Sequence, residues 1–263
     1  MNHRAIIYFL GLFIFPISFL SFVNILYSIY FDYSLSIDSY VFTLIITLIT
    51  GSALVVIGRK SIKKINFYDQ IILIVLVYIT CSFFISLPYY LSIYQITFVN
   101  ALFESFSGIT STGFTIFNNI KYLDPTLILW RSSSQWIGGL YFLFSIILLI
   151  DIFDNNLKKP LTNLLSFNTS ETLKQSSKIL ILYTFLTFCI YIILNIFDIR
   201  AFNSLNLAMT IISSGGFLPT NSLEILLNTK TKEIVLSFLM LLSFFSLFLS
   251  YNIFTIKNKN LSF

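Results

Sequence analysis

Seven stretches of this chain, each about 20 residues or longer, contain no Asp, Glu, Lys or Arg: 5–30, 40–58, 70–103, 132–150, 179–197, 201–223 and 234–256. Crossing a bilayer as a helix takes about 20 predominantly apolar residues, so these runs decide the class of fold. Only 10% of the 263 residues are charged and 57% are hydrophobic, whereas soluble domains carry about 25% charge. The sequence therefore reads as an all-α polytopic membrane protein, and most cytosolic enzyme classes are excluded. Cys81 and Cys189 lie inside apolar runs, which suits buried hydrophobes better than a disulfide or a metal site.

Two of the seven runs do not read as single crossings. The run 70–103 is too long and contains Pro88, which predicts a helix end near that residue and a shorter element from about Thr97. The run 201–223 holds Ser213-Ser214-Gly215-Gly216 and Pro219, which break a helix. The expected architecture is six transmembrane helices, at about 5–30, 40–58, 70–90, 127–151, 178–198 and 232–256, plus two short re-entrant helices with irregular loops. The first run exceeds a signal-peptide core and no small-residue cleavage site follows it, so it reads as a retained helix. In that threading 11 of the 16 basic residues share one side, among them Arg4, Arg59, Lys60, Lys63, Lys64, Lys158, Lys159, Lys174 and Lys178. The positive-inside rule then places both termini in the cytoplasm and lets both short elements enter from outside.

An offset of 103 reveals an internal repeat. Asn100-Ala101-Leu102 falls over Asn203-Ser204-Leu205, and Ile109-Thr110-Ser111-Thr112-Gly113-Phe114 over Ile212-Ser213-Ser214-Gly215-Gly216-Phe217. Each copy is helix, short helix, polar loop, helix. Irregular backbone at membrane depth is tolerated only inside protein or beside water, so the unit reads as a re-entrant pore loop. A short helix ending at Gly108 or Ile211 would point its carbonyl end, which favours cations, toward the membrane centre. The carbonyls of Thr110, Ser111, Thr112, Gly113, Ser213, Ser214, Gly215 and Gly216 would then replace a cation's hydration shell. Gly113 and Gly216 are expected to supply the positive φ that such aiming requires. The competing reading is a pair of ordinary outer loops with turn glycines.

At these residues the sequence resembles the TrkH/KtrB/HKT superfamily of potassium and sodium transporters. The segment from Phe103 through Glu104 to Gly113 is similar to that family's first pore helix and filter. Trp130-Arg131-Ser132-Ser133-Ser134-Gln135-Trp136-Ile137-Gly138-Gly139 resembles its R-x-x-x-Q-W-x-G-G, and Ser214-Gly215-Gly216-Phe217 its second filter, with Leu218 where a small polar residue is usual. The resemblance implies potassium-channel-like modules at 59–153 and 154–263 behind a two-helix extension at 1–58. It implies alkali-cation uptake, with potassium as the transported substrate at the filter residues and mildly favoured over sodium by the filter glycines. Family members carry four modules in one polypeptide and this sequence carries two. Dimerisation, a second chain supplying the other half, or a degenerate remnant each accommodates that difference. The alternative function is a noncatalytic accessory half-subunit that completes the pore of another chain. The family usually works with a cytosolic nucleotide-binding subunit of the TrkA/KtrA type, and the basic loop 154–178 either approaches such a partner or lies against anionic lipid.

Glu104 has two readings: an outer charge that concentrates cations, or an ion pair with Arg131 that supports the filter from behind. Arg131 itself either serves that pair or snorkels to the outer interface. Gly138 and Gly139 read as close helix packing or as a gating hinge. Trp130 and Trp136 are expected as interfacial anchors, and the many Phe as lipid-facing and core-filling residues. His3 is the sole histidine and there is no paired acid, so no catalytic constellation, no cofactor and no transition-metal site is expected. No phosphate-binding glycine motif is present, and no role with nucleic acid follows. The expected location is the plasma (inner) membrane.

Overall fold

The apolar runs fold as helices because lipid offers a peptide group no partner outside its own segment. The structure, a computed structural model, describes residues 2–33, 35–60, 67–150 and 169–244. Its long helices are α1 (His3–Tyr30), α2 (Ile37–Gly58), α3 (Phe67–Tyr90), α5 (Pro125–Ile150), α6 (Thr169–Ile196) and α8 (Lys230–Phe244). Two 12-residue helices, α4 (Phe98–Ile109) and α7 (Ala201–Ile212), sit between them. Among the described residues there is no strand. Among the described residues four helices are long and apolar enough to cross a membrane, namely α1, α2, α3 and α6. The six-plus-two count is thus only partly matched, because residues 245–256 of the expected last span lie outside the described residues. So do 61–66 and 151–168, and with them Lys63, Lys64, Lys158 and Lys159; Lys174 lies on α6, where side chains are not described.

Contacts along the helices give their directions. Arg4 and Tyr8 lie against Gly58, Gly11 against Gly51, and Ser18 Oγ donates to Thr47 Oγ1 at 2.8 Å, so α1 and α2 form an antiparallel hairpin. A Cβ on Gly11 or Gly58 would overlap the neighbouring backbone, which is how small residues let two helices approach without a hydrophobic drive. Asn2 meets Asp69 and Phe13 meets Cys81, so α3 runs with α1, while the pairing of Trp130 with Ile85 and of Tyr141 with Phe13 turns α5 against both.

Two prolines shape this packing. Pro16 lies inside α1 and Pro88 inside α3, which ends at Tyr90, where the expected span ends. Each lacks an N–H and opens the turn before it. In both helices the carbonyl three residues before the proline accepts a hydrogen bond from α5: Phe13 O from the Tyr141 hydroxyl, and Ile85 O from Trp130 Nε1 at 3.0 Å. This corrects the interfacial reading of Trp130, which is fully buried because its indole N–H satisfies a backbone oxygen in the core. Trp136 is half-buried and donates to Thr187 Oγ1 at 3.0 Å.

The buried side chains form two clusters, one among α1, α2, α3, α4 and α5, the other among α5, α6, α7 and α8. Trp136 and Phe144 of α5 pack against both, so α5 is the spine they share. Exposed Phe19, Phe22, Phe42 and Phe185 line the outer faces of the long helices, where lipid would meet them.

Candidate functional site

The two short helices repeat in three dimensions as they do in sequence. Their first and last residues differ by the same offset of 103, and each ends on a residue at φ −85°, ψ 0°: Thr110 and Ser213. The next residues, Ser111 and Ser214, stand at φ 55° and 54°. Ser111 N donates to Gly108 O and Ser214 N to Ile211 O, both at 2.9 Å, while Thr112 N reaches Ser107 O at 3.0 Å and Gly215 N reaches Thr210 O at 2.8 Å. These bonds cap the last helical turn with a left-handed residue and turn the chain back.

Gly113 has φ 82°, as expected, but Gly216 does not lie in the left-handed region, and the remaining reversals fall on the two serines. Glycine at 216 answers a different need. A Cβ on Gly113 would overlap the backbone of Gly216, and one on Gly216 would press on Gly113 Cα, so the two loops touch at these glycines.

The loop amides are held from behind, which decides where their oxygens point. In a trans peptide the C=O is directed opposite to the N–H. Bonds from Ser111, Thr112, Gly113, Ser214 and Gly215 N–H to the short helices therefore turn the carbonyls of Thr110, Ser111, Thr112, Ser213 and Ser214 away from those helices. Among the described residues no hydrogen-bond donor reaches the carbonyls of 110–113 or 213–216. The hydroxyls of Thr110 and Thr112, both exposed, pair at 2.7 Å. Clustered carbonyl and hydroxyl oxygens without donors are hard, neutral ligands of the kind that suits an alkali cation.

Helix α5 braces both loops. A Cβ on Gly138 would overlap the Ile109 carbonyl, and one on Gly139 would overlap the Ser213 backbone and the Tyr183 hydroxyl. These glycines thus pack against the ends of α4 and α7. Two turns earlier, Arg131 donates from Nε to Glu104 Oε1 at 2.8 Å and from Nη2 to Thr115 Oγ1 at 2.9 Å. Glu104 also accepts from Thr115 Oγ1 and from Ile116 N at 3.0 Å, which fastens the returning strand to α4. Toward the second loop, Arg131 Nη1 lies 3.4 Å from Leu218 O and its guanidinium 4.2 Å from the Phe217 ring centroid. Both charged side chains are buried, so Arg131 does not snorkel.

Two further residues join this site without having been singled out in the sequence. Gln135 Oε1 accepts from Phe217 N at 3.1 Å. Asn221 clasps the outer ends of the loops, its Oδ1 accepting from Ile120 N at 2.7 Å and its Nδ2 donating to Asn119 Oδ1 at 2.7 Å. Gln135 stands inside the R-x-x-x-Q-W motif, and Asn221 falls near Asn118 and Asn119 in the repeat; those were the available signals.

No family model matches the chain. An uncharacterized cation transporter of Methanocaldococcus jannaschii is 32% identical over 171 residues, 60% of this chain and 34% of that protein. The Trk system potassium uptake protein TrkH of Halomonas elongata is 31% identical over 53% of this chain and 29% of its own length, and TrkI of the same organism 44% identical over 28% and 15%. In fold the chain is similar to the crystal structure of the potassium transporter TrkH from Vibrio parahaemolyticus, with a TM-score of 0.77 and 20% identity over 91% of this chain and 49% of that one. The chain thus matches about half of that solved structure and a third or less of the curated relatives. The resemblance to TrkH-type proteins, first read from the motifs, holds in sequence and in fold.

Proposed function

We propose that this chain, kin to the TrkH-type superfamily, supplies two of four filter strands in a membrane pore that conducts potassium passively. The observation that carries the reading is the meeting of Gly113 and Gly216, where two loops of the same backbone form present undonated carbonyls side by side. Residues 59–153 and 154–263 act as the two modules and 1–58 as an extension beside them. Thr110 to Gly113 and Ser213 to Gly216 coordinate the ion, while Glu104 and Arg131 hold the loops from behind. A closed ring needs two more strands, supplied from beyond these 263 residues. The basic residues Arg4, Arg59 and Lys60 lie at one end of the long helices, and the loops enter from the other, which supports a cytoplasmic face at the basic end of a plasma-membrane protein.

The test is ion flux into liposomes containing the purified chain, alone and with any second chain that copurifies. Potassium flux that is lost, or that admits sodium, in the Gly113→Ser, Gly216→Ser double variant is the expected result. Identical potassium and sodium flux in parent and variant would overturn the assignment. Activity only with a different chain identifies the accessory half-subunit.

A further inference from the structure

The second loop is aimed by a side chain of the first module. In the first loop the amide N–H groups of Thr112 and Gly113 bond to Ser107 O, so α4 itself orients that strand. In the second loop the corresponding bonds stop at Gly215, and the next amide with a partner is that of Phe217. That partner is Gln135 Oε1 on α5, a side chain with no exposed surface. The Gly216–Phe217 peptide is trans, so drawing its N–H toward α5 drives the Gly216 oxygen the opposite way. Burial agrees with this, since Phe217 is buried and Gly216 is exposed. Gly215 makes the approach feasible, because a Cβ there would overlap the Gln135 carboxamide.

We infer that Gln135 is a positioning residue that fixes the Gly216 carbonyl toward the ion path, and thereby sets discrimination between potassium and the smaller sodium ion. The inference rests on the pore reading above. A carbonyl held by a bond from behind keeps its distance from the axis, whereas a released one can tilt inward and follow a smaller ion. Conductance and discrimination are separable here, because Gln135 touches the backbone amide and not the ion.

Flux of potassium and sodium in liposomes, as a ratio per folded protein, tests this. Gln135→Met keeps side-chain length and loses the acceptor; the potassium-to-sodium ratio should fall roughly fivefold, the net worth of one hydrogen bond. Gln135→Glu keeps an oxygen at the same reach and should restore discrimination above the Met variant. Gly215→Ala, which displaces the carboxamide, should lower the ratio in the parent but not further in Gln135→Met, since both changes break the same bond. This coupling also serves where the Met variant accumulates poorly, through the pair Gly215→Ala and Gln135→Ala. An unchanged ratio in Gln135→Met, or independent effects of the two sites, overturns the inference while the pore reading stands. If Gly113→Ser, Gly216→Ser is also without effect, the pore reading itself fails.

Discussion

Arg131 and Glu104 form an ion pair at 2.8 Å with at most 1% of either side chain exposed, and through it one cation on α5 reaches both loops. Two buried charges are tolerable only when their remaining hydrogen-bonding capacity is met. Here Thr115, Ile116 N and Leu218 O complete it. Removing one member strands the other. Glu104→Gln should destabilise the protein by about 3–5 kcal/mol, whereas Glu104→Leu with Arg131→Leu should cost less than the sum of the single changes. Thermal unfolding of the purified variants measures this, and additive losses would refute the coupling.

The carbonyls of Phe13 and Ile85, which accept from α5 across the helix interface, yield a second prediction. Tyr141→Phe and Trp130→Phe keep the packing and remove the donors to Phe13 O and Ile85 O. Each should lower stability by about 1 kcal/mol, within the range for polar contacts between membrane helices. A Tyr141→Phe variant as stable as the parent would show that Phe13 O needs no partner.

How much was legible beforehand follows from period and punctuation. Most helices, many of their ends and the repeat at offset 103 are local properties, carried by apolar runs, Ser/Gly clusters and Asn100 over Asn203; the start of α6, expected at 178, lies at Thr169, ahead of the apolar run. What was not legible depends on tertiary contact. The interfacial assignment of Trp130 failed because nothing local shows that its indole N–H would meet Ile85 O in the core. The expected positive φ at Gly216 failed because glycine serves both backbone freedom and close approach, and only the neighbour, Gly113, distinguishes them. Gln135 was visible as a motif letter, but its task was hidden until the second loop was folded against it.

The left-handed serines give a third prediction. A non-glycine residue in that region carries about 1–2 kcal/mol of steric strain, and part of it is offset when glycine's larger unfolded-state entropy is counted. Ser111→Gly and Ser214→Gly should therefore each leave stability unchanged or raise it by up to about 1 kcal/mol. The same substitution at Ser134, in the interior of α5 and against Gly108, should lower it. A loss at 111 or 214 as large as that at 134 would mean that the serine side chains, not the backbone, hold these turns.

The glycine pair of α5 distinguishes packing from hinge motion. Gly138 and Gly139 each exclude a Cβ because backbone of a short helix end occupies the space: Ile109 for one, Ser213 for the other. Backbone cannot swing aside as a side chain can, so Gly138→Ala or Gly139→Ala must separate α5 from α4 or α7, a misfit of about 1–3 kcal/mol each. Gly51→Ala in the α1–α2 hairpin meets its nearest neighbour at 3.3 Å and should be milder. If the pair instead acted as a flexible hinge, alanine would stiffen the helix, raise or preserve stability, and alter only the opening and closing of the flux. Unfolding temperature and flux measured on the same samples separate the two outcomes: packing predicts that stability falls first, and that a small-to-smaller change opposite Gly139, such as Tyr183→Phe, recovers part of the loss by removing the hydroxyl that a new Cβ would strike.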